Sequence, residues 1–372
     1  MKCIVHADHL STAITRVSGA FRDKSINYYA LRTFEDSSLE IQAVDQTIAL
    51  FSSVPSQNFE PGTLFIPAKI FSTLVKELPP FPIELSSNGT YLQVSQGSSL
   101  SIQLPLIEKG SWQTPASQFT GETLTLTTAQ LRQLIEQVIF CLAEYPSRDY
   151  GDIGCMHVLN ETQLCLVATD GYRMAKSETE LREPTKALTK GVCISKHGLF
   201  ELARLCMVSE GDICLQFSAD YNAILATMEQ NRLYLLLSST QYPDYQTILP
   251  KEWGSRFQID KRRLYESLRR ILLTADINKT VMIQTESPEV CLFSKNHQNF
   301  EAKEFIEAIE IQGTSEQISI NGKFLADILT ISSAEVIEFL ILNQEQPVII
   351  IPQDRNQDVK SLYVLVPIKA EA

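Results

Sequence analysis

The residues best able to do chemistry are a carboxylate in VATDGYRMA (167–175), a thiol and an imidazole in GCMHVL, and two neighbouring histidines near the N-terminus. Asp170 precedes glycine between two strand-like runs. Asp-Gly in that setting is a hairpin signal, because both residues tolerate the left-handed turn conformation. Asp170 therefore reads as a turn residue rather than a catalytic carboxylate. Cys155 and His157 stand at i and i+2 and would share one face of a strand. A thiol becomes a nucleophile only beside an oriented base in an electropositive setting, and the apolar run around this one predicts a core thiol. His6 and His9 have no further ligands near them in sequence, so no metal is expected. The chain lacks G-x-x-x-x-G-K-[ST], a G-x-G-x-x-G after a strand, H-E-x-x-H and G-x-S-x-G. The expectation is a protein with no catalytic residues, no cofactor and no metal.

Composition narrows the class further. A formal net charge of −12 over 372 residues argues against a protein that coats nucleic acid with its whole surface. It leaves room for a local basic groove, since phosphates are met by particular Lys and Arg side chains. The eight cysteines form no C-x-x-C pair and sit mostly in apolar runs, which predicts buried reduced thiols. MKCIVHADHL lacks the apolar core of a signal peptide and no apolar run is long enough to cross a bilayer. A cytoplasmic protein without membrane contact is expected.

The elements that must position any site come in threes. Leu10, Ile14 and Val17 set an amphipathic helical period that returns at Leu131, Ile135 and Val138, and again at Leu264, Leu268 and Ile271. Each copy follows a short strand-like run. A second helix repeats from Ile66, Ile194 and Ile320, starts that lie 128 and 126 residues apart. Its apolar residues recur at Phe71 and Leu74, Leu199 and Leu202, Leu325 and Ile328. Alternating runs between the helices predict antiparallel strands with one wet face. Turn-forming residues recur too, at Asp45, Asp170 and Asn296. The fold class is α+β: three similar domains, each with two helices on antiparallel sheets, over 1–122, 123–255 and 256–372. The period is too long for a solenoid repeat. The repeated helices carry clusters of Lys and Arg, densest in RFQIDKRRLYESLRR, which could meet phosphates around a channel or could form an ordinary solvated face.

With these residues in hand, the chain resembles the bacterial DNA polymerase III beta subunit, the sliding clamp, over essentially its whole length. ATDGYRMA is close to the family's A-T-D-G-[HY]-R-[LM]-A, YPDYQTILP to its F-P-D-Y-x-x-[VI]-[LI]-P, and YVLVPIK to its last strand. The resemblance implies a ring of two head-to-tail protomers that encircles duplex DNA, slides without sequence preference and tethers a polymerase. It implies partners as well: the polymerase III catalytic subunit, the clamp loader, and other polymerases and repair proteins carrying clamp-binding motifs. Their peptides would enter an apolar pocket formed by Thr169, Gly171, Tyr172, Arg173, Met174, Pro243, Thr247, Ile248, Val364, Val366, Pro367 and Ile368. DNA-facing candidates by match are Lys24, Lys69, Arg148, Tyr150 and Lys196. Leu272 and Leu273 of one protomer would face Leu100 and Ile102 of the other. The chain departs from the family at KSINYYAL (24–31), at Thr247, where a basic residue is common, and at Asp152, which stands where the family pocket has an apolar residue. A diverged paralogue, a dimeric peptide-binding scaffold that never loads on DNA, is the alternative reading.

Overall fold

A computed structural model describes residues 1–21, 27–35, 37–108, 119–186, 188–249, 252–354 and 358–368. Among them are six α-helices: α1 (Ala7–Val17), α2 (Ala68–Glu77), α3 (Thr128–Ile139), α4 (Lys196–Cys206), α5 (Lys261–Ile271) and α6 (Gly322–Ile331). All nine residues of the first repeated period are core, none more than 1% exposed. The second period holds for α4 and α6, where Leu199, Leu202, Leu325 and Ile328 are buried. In α2 it slips by one residue: Phe71 and Val75 are buried and Leu74 is only half-buried. Phe71 and Val75 lie at i and i+4, one above the other on a helix, so the core-facing stripe is rotated by about one residue. Side-chain caps start the last two helices. Asp260 accepts from the Arg263 amide at 2.8 Å, and Asn321 from the Lys323 and Phe324 amides at 2.9 and 3.2 Å.

The chain gathers into two compact units. The first comprises Met1–Ala129 and Phe200–Leu237. Its twelve strands form one antiparallel sheet in which the long strand Ile48–Glu60 is central. That strand pairs with Ser38–Val44, Lys2–His6 and Asn231–Leu236, so sheet bonding joins segments far apart in sequence. α1 packs against α2 and this strand. The end of α1 is held by Arg204, which donates to the Thr15 and Arg16 carbonyls and, through Nε, to buried Glu201 at 2.9 Å. A cation at a helix C-terminus satisfies carbonyls that have no partner within the helix.

The second unit comprises Gln130–Leu199 and Ser238–Ala372. Its larger sheet runs Val192–Ser195, Ile153–Leu159, Gln163–Thr169, Arg173–Glu180, Val359–Leu365, Val348–Gln353, Val336–Ile341, Ser255–Asp260 and Glu310–Gly313. A four-stranded sheet, Glu301–Glu307, Glu289–Lys295, Thr280–Glu286 and Gln317–Asn321, lies beside α5. Phe257 and Phe339 stack at 4.7 Å between ring centres in the core.

The three turn residues act alike. Asp45 accepts from the Gln46 amide, Asp170 from those of Tyr172 and Arg173, and Asn296 from those of Gln298 and Phe300. Asp170 is therefore architectural, as its place in the repeat suggests.

Candidate functional site

The hairpin around Asp170 builds two different surfaces from alternate residues. Thr169 lies opposite Met174, and Met174 opposite Val364, so these three share one face across three strands. Val167 and Leu362 continue that face two positions along. Met174, Val364, Val167 and Tyr245 form a buried floor, with Tyr242, Leu249 and Leu362 packed at its edge. Above the floor stand exposed apolar groups: Tyr172 at 60%, Val366 at 43% and Ile248 at 42%. Pro243, Pro367 and Ile368 are half-buried, and Thr247 is exposed. These residues make an apolar patch, here called the trough, with a buried floor and an exposed apolar rim, the kind of surface an extended peptide with large apolar anchors needs.

Local chemistry fixes the trough's walls. Asp244 caps the 3-10 turn Tyr245–Ile248, accepting from the Gln246 amide at 3.1 Å. Tyr245 donates to or accepts from His157 Nε2 at 2.9 Å, and the Tyr242 hydroxyl donates to the Val167 carbonyl at 3.1 Å. Burial, and then the nearby Lys176 charge, hold the His157 imidazole below its ordinary pKa. It is thus a neutral structural partner of Tyr245. Cys155 lies on the same strand face as His157 but opposite Cys193, and the two do not form a thiol–imidazole couple.

Arg173 lies behind the trough. Its alternate position on the strand sends it to the face that carries Ser177 and Tyr363, which bond the α3 backbone at Leu134 and the Gln137 side chain respectively. There its guanidinium donates to Asp170 at 3.0 Å, to Asp327 on α6 at 2.7 Å and to the Phe140 carbonyl just past α3 at 2.8 Å. It also sits over the Phe324 ring, 4.3 Å from its centre. Its role is to lock the hairpin tip to two helices. Asp327 and Glu201 are each seven residues into the second helical repeat, so α4 and α6 both carry an acid that anchors the arginine capping a helix end.

The remaining candidates fall in several places. Arg148 Nη1 donates to the Tyr150 hydroxyl at 3.0 Å, and Tyr150 meets Tyr242 edge-on at 6.3 Å. Arg148 also covers Gly171, where φ is +93° and a Cβ would lie 2.7 Å from Arg148 Nε. Only glycine fits that turn. Arg148 and Tyr150 are thus neighbours of the trough. Lys196 donates to the Leu142 carbonyl at 2.8 Å, and Lys69 is exposed on α2. Lys24 lies outside the described residues. Leu100 and Ile102 are half-buried on the terminal strand of the twelve-stranded sheet, and Leu273 after α5 is 84% exposed beside half-buried Leu272. Asp152 is half-buried, and its carbonyl accepts from the Lys196 amide. Tyr242 and Tyr245 stand in YPDYQTILP, where the motif match gives neither a separate role. Phe140, Phe324 and Asp327 carry no local signal.

Comparison with known proteins decides the family. Residues 1–127, 125–244 and 246–369 match, in order, the N-terminal, central and C-terminal domains of the DNA polymerase III beta subunit. The chain belongs to that family. The "Beta sliding clamp" of Vibrio cholerae is 25% identical over 382 aligned positions, covering 99% of this chain and 100% of the relative. The DNA polymerase III subunit beta of Pseudomonas aeruginosa superposes with a TM-score of 0.91 at 22% identity, over 99% of this chain and 100% of that one. The Thermotoga maritima beta subunit does so with a TM-score of 0.87 at 22% identity, over the full length of both. The beta-subunit fold, three domains with six helices on antiparallel sheets, is therefore the fold of this chain.

Proposed function

We propose that this beta-subunit chain is a processivity clamp: a dimeric ring that encircles duplex DNA, slides without sequence preference and tethers polymerases by their peptide motifs. The observation that carries this reading is the apolar trough of Met174, Val364, Tyr245, Ile248 and Val366 on a chain whose every third matches the beta subunit. Three domains, 1–122, 123–255 and 256–372, would make up each protomer, and two protomers would close head to tail. The interface would place Leu100 and Ile102 of one protomer against Leu272 and Leu273 of the other. An apolar side chain as exposed as Leu273 fits burial by a second copy.

Lys69 and Lys196, with Lys24, would face the duplex and meet phosphates without reading bases. Arg148 and Tyr150 support a second assignment, the trough's end wall, because they pack on Gly171 and Tyr242. Within the pocket set, Met174, Val364, Val366, Ile248, Pro243, Pro367 and Ile368 would touch the peptide, while Arg173 acts as a positioning residue. The peptides would come from the polymerase III catalytic subunit, the clamp loader and repair proteins. No helix among the described residues is long and apolar enough to cross a membrane, and we place the work in the cytoplasm, where the chromosome is replicated.

The test is primer extension on a long single-stranded template, with the cognate polymerase and loader. Product length should rise at least tenfold when this protein is added. Unchanged product length, under conditions where a control clamp works with its own polymerase, would reject the reading in favour of a scaffold that never loads.

A further inference from the structure

Among the eight cysteines, one pair is directly opposed. Cys155 and Cys193 are register partners on the antiparallel strands Ile153–Leu159 and Val192–Ser195. Opposed residues in such a pair have Cα atoms about 4.5–5.5 Å apart, within the ~4.4–6.8 Å that a disulfide spans. Both residues are buried but not sealed, 9% and 7% exposed, whereas Cys3, Cys165 and Cys291 are at 0%. Cys214 is more exposed but stands opposite Thr125 and Thr227, with no second sulfur. Cys193 also bonds the segment that leads into the trough's edge at Tyr242. Cys193 Sγ donates to the Thr240 carbonyl at 3.4 Å, two residues before Tyr242, and the Cys193 carbonyl accepts from the Ser238 amide at 2.9 Å.

We propose that Cys155 and Cys193 are a reversible dithiol–disulfide site oxidised by a hydroperoxide, and that the disulfide loosens the Thr240–Tyr242 wall of the trough. The second half rests on the reading of the trough as a peptide site. The hydrogen bond from the Cys155 thiol lowers the Cys193 pKa against the upward push of burial, and Cys193 supplies the thiolate once it gives up the S–H it donates to the Thr240 carbonyl. That thiolate attacks the O–O bond of the hydroperoxide, giving a sulfenic acid on Cys193 and an alkoxide that takes up a proton. Cys155 then attacks the sulfenic sulfur, the S–S bond forms, and hydroxide leaves as water with the Cys155 proton. Two thiols and one hydroperoxide become one disulfide, one alcohol (water, if the oxidant is hydrogen peroxide) and one water; an external dithiol reverses the change. Oxidation removes the S–H that held the Thr240 carbonyl. It also draws the two strands' side chains together, because opposed Cβ atoms are spaced slightly wider than a disulfide allows.

The test treats the native, full-length protein with hydrogen peroxide, alkylates in denaturant and maps tryptic peptides, with peptide affinity measured in parallel. The expected product joins residues 191–196 to 149–173 and disappears with dithiothreitol. It persists in Cys165→Ser and is absent in Cys155→Ser, which separates Cys155 from the other cysteine of that peptide. A fluorescent peptide with Leu and Phe anchors should bind the oxidised protein about tenfold more weakly than the reduced one. Absence of the linked peptide, with the thiols alkylated or carried on to sulfinic acids, overturns the dithiol site. A linked peptide with unchanged affinity overturns the coupling to the trough. Failure of the reduced protein to bind the peptide at all rejects the trough reading and the coupling together, while the linked peptide still decides the dithiol.

Discussion

Arg173 donates to Asp327 at 2.7 Å across 154 positions of sequence, and the same guanidinium holds Asp170 and the Phe140 carbonyl. One arginine thus ties the hairpin of VATDGYRMA to α3 and α6. Arg173→Ala would leave the partly buried Asp170 carboxylate without its cation. We expect a loss of about 2–3 kcal/mol, below the ~3–5 of a fully buried pair because Asp327 is 37% exposed. Chemical denaturation measures this. In a double-mutant cycle, Arg173→Ala and Asp327→Ala should couple by about 1 kcal/mol or more; additivity would show that the pair acts separately. Peptide binding should also weaken, through displacement of the hairpin tip.

Rim and floor substitutions should separate affinity from stability. Ile248→Ala and Val366→Ala remove exposed apolar groups, so each should weaken a Leu- and Phe-bearing peptide about tenfold, or ~1.4 kcal/mol, with Tm nearly unchanged. Met174→Ala instead opens a cavity in the floor and should cost about 2–4 kcal/mol of stability as well. Calorimetry on the three variants tests the division.

How much of this was legible in sequence depends on the range of each interaction. The buried stripe of Leu10, Ile14 and Val17, with its two copies, could be read because helical periodicity is local. The turn roles of Asp45, Asp170 and Asn296 were equally local. The slip in α2, from Leu74 to Val75, was not, since either residue satisfies an apolar pattern and only the packed sheet chooses. From the motif alone, Arg173 reads as one of the pocket residues together with Tyr172 and Met174. Its alternate position on the strand and its bonds to Asp327 and the Phe140 carbonyl instead put its guanidinium on the sheet face opposite Met174 and Val364. The pairing of Asn231–Leu236 with Ile48–Glu60 is invisible in a pattern that treats each third alone.

His157 makes stability depend on pH. Its folded pKa is lowered by burial and by Lys176, so the unfolded chain takes up the proton first. The stability this neutral imidazole supplies is present above the unfolded pKa of about 6.5 and declines as pH falls below it, by at most ~1.4 kcal/mol per pH unit. His157→Phe should flatten that part of the profile. Urea unfolding at pH 7.5 and 5.5 measures it, and equal pH slopes in both proteins would show that other groups are responsible.

The proposed ring makes a demand on Leu273. Leu273→Arg would put a charge at the protomer joint and should turn the dimer into monomer at micromolar concentration, with unchanged Tm for the monomer fold. Sedimentation velocity reads both species. A dimer that tolerates the substitution would place the joint elsewhere.

The central claim, topological enclosure of DNA, is tested most directly by loading the protein onto a nicked circular plasmid with its cognate loader and ATP, then gel-filtering before and after linearisation. Co-elution with the circle and release from the linear molecule are expected, since a closed ring can leave only over an end. Equal retention on both forms, or none on either where a control clamp loads, would contradict it.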